Sequence, residues 1–284
     1  MNLDTHLISI IIPTFNRSNT LRRAIESVLN QSLSFWELII VDDGSTDNTR
    51  EVIESYIRNP KVSYYYQKNK GVSTARNYGA LQANGDFLIF LDSDDYIFPD
   101  LIFEIHSLNL TEYDLVCWYV LKTLNGKKNI WKPTRLDSMY KNLKVHFLAG
   151  SIAYRKSVFF EIGGYDEEMF FGENYELGLR WSNSEALNIY LINKPLSGYI
   201  VETSLRTSDN PLNKLLSYFH LIKKHKIAYS FHPKQHSQLL YMIGYNLENI
   251  NKNKFAYMLY FKSWQTYPYK IKALLKIIYL KISI

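Results

Sequence analysis

Four short apolar runs, each followed by a polar and acidic loop and then a helical stretch, most constrain how this chain can fold. They are "LISIIIP" (7–13), "FWELIIVD" (35–42), "KVSYYYQ" (61–67) and "DFLIFLD" (86–92). Between them lie "SNTLRRAIESVLNQ" (18–31), an amphipathic helix opened by Ser18 or Asn19, "STDNTREVIESYIRN" (45–59), with Asp47 in its first turn, and "GVSTARNYGALQAN" (71–84). Strands joined by helical crossovers run parallel and are covered on both faces, which accounts for near-continuous apolar runs. The pattern predicts an α/β fold with a doubly wound, mostly parallel sheet flanked by helices. In such a sheet ligands bind at the carboxyl edge of the strands, so all four polar loops fall on one edge.

The loop after the fourth run places Asp92, Asp94 and Asp95 within four positions. Like charges this close repel unless a cation or a hydrogen-bond network compensates. Mn²⁺ or Mg²⁺ takes one or two protein carboxylates and completes its shell with water and phosphate oxygens; the alternative is a solvated turn with Asp95 or Asp100 capping the next helix. After the first run, Thr14 and Asn16 have the chemistry to hydrogen-bond a base or ribose. After the second, Asp42 or Asp43 offers a carboxylate for a uracil imide or a ribose hydroxyl, while Asp43 and Ser45 also suit turn formation and helix capping. After the third, Gly71 permits close backbone approach, and Lys70 or Arg76 offsets phosphate charge or is solvated surface. Together the loops suit a nucleoside diphosphate with its cation.

Beyond about residue 110 the alternation changes. Asn125-Gly126 predicts a hairpin. Residues 147–167 read as a short strand, a helical turn and a glycine turn, 173–184 as a helix, and 186–202 as two strands. From Pro211 the chain is helical and lysine-rich, which divides it into a body, 1–210, and a C-terminal helical extension, 211–284. The extension holds twelve lysines against one acid, Glu248, a charge of +11; with +6 overall, the body carries −5. A basic tail on an acidic body points to an anionic surface as partner. The single cysteine, Cys117, excludes an internal disulfide and a cysteine-based zinc site, and fits a reducing cytoplasm. The N-terminal apolar run is too short, and ends too early at Pro13, for a signal peptide or a membrane span.

"SIIIPTFNR", "LIIVDDGSTDNT", "NKGVSTARNYG" and "FLIFLDSDD", in that order, resemble inverting glycosyltransferase family 2, whose members have the GT-A fold and use nucleotide sugars. The resemblance covers residues 7 to about 205 and is strongest to 105. It implies a UDP-sugar donor, with Pro13, Thr14, Asn16, Arg17, Asp42, Asp43, Gly71, Arg76, Asp92 and Ser93 around the nucleotide sugar. Asp42 falls where the family reads uracil. Asp92 and Asp94 match its Asp-x-Asp motif, with Asp94 expected to hold Mn²⁺ or Mg²⁺. The family takes its base from a Glu-Asp pair at the start of a helix, and "FGENYELGLRW" places Glu173 and Asn174 there. A neutral amide is no base. Glu173 is then the base with Asn174 orienting the acceptor, or Glu176 substitutes one turn on, or the chain is a catalytically weak nucleotide-sugar-binding scaffold. The family's histidine after the last strand is missing from "VETSLRTSDN", where Arg206 takes the diphosphate instead. A sugar nucleotidyltransferase shares the sheet type but needs a glycine-rich phosphate loop after the first strand, which is missing.

The resemblance further implies single-sugar transfer to a glycan acceptor, lipid-linked, in bacterial surface polysaccharide assembly. On a helical wheel of 269–282, Ile271, Leu274, Leu275, Ile278 and Ile282 span an arc of about 100°, flanked by Lys272 and Lys276 on one side and Lys270 and Lys281 on the other. This stripe suits either packing on the body or peripheral contact with the anionic inner face of the cytoplasmic membrane. The acidic site argues against a nucleic-acid partner, and a homodimer remains open. His220, His225, His232 and His236 read as surface or packing residues.

Overall fold

The computed structural model describes residues 6–184, 187–201 and 210–283. The chain opens with β1 (Ile8–Thr14), α1 (Leu21–Leu29), β2 (Trp36–Asp42), α2 (Thr49–Glu54), β3 (Val62–Tyr66), α3 (Val72–Gln82) and β4 (Phe87–Phe90). These strands pair in parallel in the order β3-β2-β1-β4, as the alternation requires. Every residue of β1 is buried because helices cover both faces. Ile8, Ile10 and Ile12 point into one core with Leu21, Ile25 and Val28 of α1 and Ile53 of α2. Ile11 points the other way, with Ala75 and Ala80 of α3. Register pairs Thr14 with Asp42, which brings the first two polar loops side by side.

The second half of the body adds β5 (Tyr96–Ile97), α4 (Leu101–His106), β6 (Leu115–Leu124), β7 (Lys127–Trp131), β8 (Ile152–Arg155), α5 (Lys156–Glu161), α6 (Glu173–Asn183) and β9 (Ile189–Val201). The full sheet runs β3-β2-β1-β4-β8-β6-β9-β5, with β7 on β6. Its parallel character holds through β4. β8 then runs antiparallel to both β4 and β6, and β5 antiparallel to β9. Asn125 and Gly126, at φ 49° and 75°, make the two-residue turn of the β6–β7 hairpin. The expected pair of strands over 186–202 is instead one strand, β9, whose register against β6 shifts around Tyr119, opposite Pro195. Proline lacks the amide that would continue the ladder, so the pairing bulges there without ending.

The extension comprises α7 (Pro211–Lys224), α8 (Lys226–Phe231), α9 (Pro233–Asn249), α10 (Asn253–Thr266) and α11 (Ile271–Ser283). Asn210 caps α7, its Oδ1 accepting the Leu212 amide at 2.9 Å, and Pro211 fits the first turn, where no amide partner is needed. Leu215, Tyr218, Tyr229, Leu239 and Ile243 share a core with Met139 and Leu179 of the body. Ile277 and Leu280 turn α11 inward onto Ala256 and Tyr260 of α10, and Ala273 is buried on the same face of the helix. The stripe read from the sequence lies on the opposite face: Ile271, Leu274, Leu275 and Ile278 are 67%, 37%, 60% and 49% exposed. The Ile282 side chain lies outside the described residues. α11 is thus apolar on two faces, and packing uses only one.

Candidate active site

The four carboxyl-edge loops and the start of α6 surround one cleft of about 800 Å³. At the end of β1, Pro13, Thr14 and Arg17 line it. Thr14 is buried, and its Oγ1 has no hydrogen-bond partner among the described residues. Asn16 is not on the wall. It adopts φ 53°, and its Oδ1 accepts the Thr46 amide at 2.7 Å while its own amide donates to Ser45 Oγ at 2.9 Å, so it ties the β1 loop to the β2 loop.

The two adjacent aspartates divide their work. Asp42 is buried away from the cleft wall; its Oδ1 accepts the Ser45 amide at 2.8 Å and its Oδ2 the Tyr64 hydroxyl at 3.2 Å. Burial, then the Asp42 charge, push the Tyr64 hydroxyl up to about 12. Asp43 lines the cleft and organises the next loop, accepting the amides of Lys70 and Gly71, each at 2.8 Å, and Gln67 Nε2 at 2.7 Å. Gly71 sits at φ 95° with nothing within 4 Å of where a Cβ would stand, so backbone is presented to open space.

Arg76 is the hub. Only 2% exposed, it donates from Nη2 to Asp92 Oδ1 at 2.7 Å and from Nη1 to Glu173 Oε1 at 3.0 Å, with the Tyr165 ring 4.9 Å from its guanidinium carbon. Burial opposes its charge, but Asp92, Tyr165 and Glu173 outweigh that and raise its pKa. Arg76 lines the cleft, where the sequence expected it, and stands between the acidic loop and the first residue of α6. Asp92, Ser93 and Asp94 line the cleft, whereas Asp95 is buried and accepts the Ile200 amide at 2.9 Å. Carboxylate oxygens of Asp92, Asp94 and Asp95 lie within 4.8 Å of one another, a donor set that fits one hard divalent cation.

Glu173 and Asn174 enter the same cleft behind Gly172, which takes φ 74°. Asn174 Oδ1 accepts the Tyr165 hydroxyl at 2.9 Å, and its Nδ2 lies 3.5 Å from Glu173 Oε1. Glu176 faces the other way. It is buried among Arg180 (2.7 Å), Lys224 (2.8 Å) and His225 (2.9 Å). Burial disfavours its charge, yet these partners hold its pKa well below the usual carboxylate range. Arg206 lies outside the described residues.

Sequence reasoning missed the aromatic side of the cleft, built by Phe147, Phe170, Phe171, Tyr175 and Tyr199, together with Asn213 of α7. It also missed what holds that wall: Ser217 of α7, fully buried, accepts the amides of Phe170 and Phe171, each at 3.0 Å. His220 and Lys224 reach Asp166 at 2.8 and 2.5 Å, and His225 reaches Glu176 at 2.9 Å, so both histidines pack against carboxylates of the body. No periodicity marks such contacts, because they join segments about fifty residues apart.

The model of Glycosyl transferase family 2 matches residues 9–165, more than half of the chain. The chain belongs to glycosyl transferase family 2. It is therefore a glycosyltransferase. An uncharacterised glycosyltransferase of Rickettsia typhi is 29% identical over 229 residues, covering 76% of this chain and 70% of that one. The chondroitin synthase of Escherichia coli is 42% identical over 97 residues, but these are 34% of this chain and 14% of that protein. Among solved structures, S. aureus TarS 1-349 in complex with UDP-GlcNAc superposes with a TM-score of 0.62 at 18% identity, covering 96% of this chain and 89% of that one. At that identity the likeness establishes the fold.

Proposed function

We propose that this family 2 enzyme transfers a single sugar from a UDP-sugar to a glycan acceptor with inversion, in bacterial surface polysaccharide assembly. The observation that carries the reading is Glu173 in the same cleft as Asp92 and Asp94, bridged to Asp92 by Arg76. Thr14, Asp43 and the Gly71 backbone offer the hydroxyl, carboxylate and close approach that a nucleoside needs. The S. aureus TarS structures in complex with UDP-GlcNAc and with UDP share the fold and support uridine as the base. Asp92 and Asp94 would hold Mn²⁺ or Mg²⁺, which when bound would supply Lewis-acid stabilisation of the departing diphosphate. Glu173 Oε takes the proton of the acceptor hydroxyl as its oxygen forms the new bond to the anomeric carbon. The bond from that carbon to the diphosphate oxygen breaks on the opposite face, and UDP leaves with the electron pair. Asn174, fixed by Tyr165, orients Glu173 and the incoming hydroxyl. The aromatic wall receives the acceptor sugar, whose apolar face suits ring stacking. The test is UDP release from a panel of UDP-sugars with and without Mn²⁺. Mn²⁺-dependent release from one donor, abolished in Asp94→Ala, is expected; release of pyrophosphate, or turnover indifferent to both metal and Asp94, overturns the reading.

Asn174 at the position of the family's usual aspartate favours a second reading, a scaffold that binds the nucleotide sugar without turning it over. Mn²⁺-dependent UDP binding with no turnover in the presence of lipid-linked acceptors would establish it.

We also place the enzyme in the cytoplasm, peripherally on the anionic inner membrane surface. No helix among the described residues is long and apolar enough to cross a membrane. The exposed face of α11, with Lys272 and Lys281 beside it, has the chemistry of an interfacial helix. Leu274→Glu combined with Leu275→Glu is expected to abolish co-sedimentation with vesicles containing phosphatidylglycerol while leaving the melting temperature in place, since these side chains lie off the α10 contact.

A further inference from the structure

We propose that Arg23 is a positioning residue for Asp94, and that Arg23 and Ser27 of α1, with Gln31 two residues past its end, form the rail on which the acidic loop after β4 is set. This rests on the reading of Asp92 and Asp94 as the cation-holding residues. Spaced by four, Arg23 and Ser27 share one face of α1, and Gln31 is tied to that face through Nε2, which donates to the Ser27 carbonyl at 3.0 Å. Each grips main chain of the segment following β4. Arg23 Nη2 donates to the Asp94 carbonyl oxygen. Ser27 Oγ accepts the Ile97 amide at 3.1 Å. Gln31 donates from Nε2 to the Phe98 carbonyl at 2.8 Å and accepts the Ile102 amide on Oε1 at 3.1 Å. The Ser32 amide, just past the helix, donates to the Pro99 carbonyl at 2.9 Å.

The segment needs such support because it has little ladder of its own: β5 is two residues long. Within the acidic loop, Arg76 holds Asp92 and the Ile200 amide engages Asp95, both through the carboxylate. Arg23 takes Asp94 by its carbonyl, which fixes the backbone from which the side chain departs. The rail itself is rigid, since Leu21, Ala24, Ile25 and Val28 bury the other side of α1 in the core beside β1. The loop that holds the cation is thereby registered to the same core as the β1 loop that lines the nucleotide end of the cleft. Arg23 also brings a positive charge to a cluster of three carboxylates, which reduces their repulsion.

The experiment is an electron paramagnetic resonance titration of free Mn²⁺ against the full chain with saturating UDP, alongside thermal melting and metal-free UDP binding. Arg23→Ala is expected to weaken Mn²⁺ binding by about tenfold or more, the usual effect of removing a group that orients a metal ligand. Arg23→Lys recovers part of the loss. Arg22→Ala, which removes an exposed neighbour paired with Glu26, leaves Mn²⁺ affinity unchanged. Unchanged Mn²⁺ affinity in folded Arg23→Ala overturns the inference; should that variant not fold, wild-type Mn²⁺ affinity in Arg23→Lys does so. Absence of Mn²⁺ binding by the wild type overturns the cation reading of Asp92 and Asp94, and the inference with it.

Discussion

Glu173→Gln is expected to lower the rate of sugar transfer by about 10²–10⁴-fold, the usual contribution of a positioned base, with a far smaller change in UDP affinity. The amide keeps the shape of the side chain and a carbonyl oxygen for Arg76 but cannot accept the acceptor's proton. Arg76 stays neutralised in part by Asp92, so the buried guanidinium is not stranded. Comparing kcat with the dissociation constant of UDP separates this outcome from a general loss of structure. A Glu173→Gln enzyme with undiminished kcat would place the base elsewhere. The neighbouring Asn174→Asp tests the same assignment from the other side. If Glu173 is sufficient, restoring a second carboxylate brings no large gain, and a gain of tenfold or more would mean that the amide limits this chain.

Glu176→Gln is expected to cost about 3–5 kcal/mol of stability, because it breaks a buried ion cluster while leaving Arg180, Lys224 and His225 around a neutral side chain. Denaturant unfolding measures it. The pH dependence has a definite sign. The Glu176 carboxylate has a pKa lowered from an ordinary value of 4.5, so its contribution is fully present above about pH 4.5. It is lost as pH falls through the depressed folded-state value, and the gap between wild type and Glu176→Gln narrows on acidification. A constant gap from neutral pH down to acid unfolding would refute the assignment. The same cluster joins α6 to the extension, so Glu176→Gln also loosens the wall that Ser217 holds at Phe170 and Phe171. Two acidic residues three positions apart on one helix are thus expected to fail differently, Glu173→Gln in turnover with the fold intact and Glu176→Gln in stability first.

Much of this protein is written locally. The apolar runs determine β1 to β4, because a strand covered on both faces must be apolar at nearly every position, and the intervening helices dictate parallel order. Asn125-Gly126 determines a hairpin through its left-handed backbone. The loops that end the strands determine which residues meet at one edge, so Thr14, Asp43, Gly71, Asp92 and Asp94 were legible as neighbours before any coordinates. Which partner each residue finds was decided only in three dimensions. Asp42 and Asp43 are adjacent, yet only Asp43 reaches the cleft wall, because alternate residues leaving a strand turn to opposite sides. Arg76 belongs to a cleft-lining loop the sequence already marked, but its partner Glu173, ninety-seven residues away and 3.0 Å from it, is found only in the fold. The exposed face of α11 follows the same logic: the wheel finds an apolar stripe, but Ala273, Ile277 and Leu280 supply a second one, and only α10 decides which is covered. Local sequence sets backbone conformation and the period of burial, while the partners of a charge or an apolar face depend on elements distant in the chain, and the tertiary structure alone settles them.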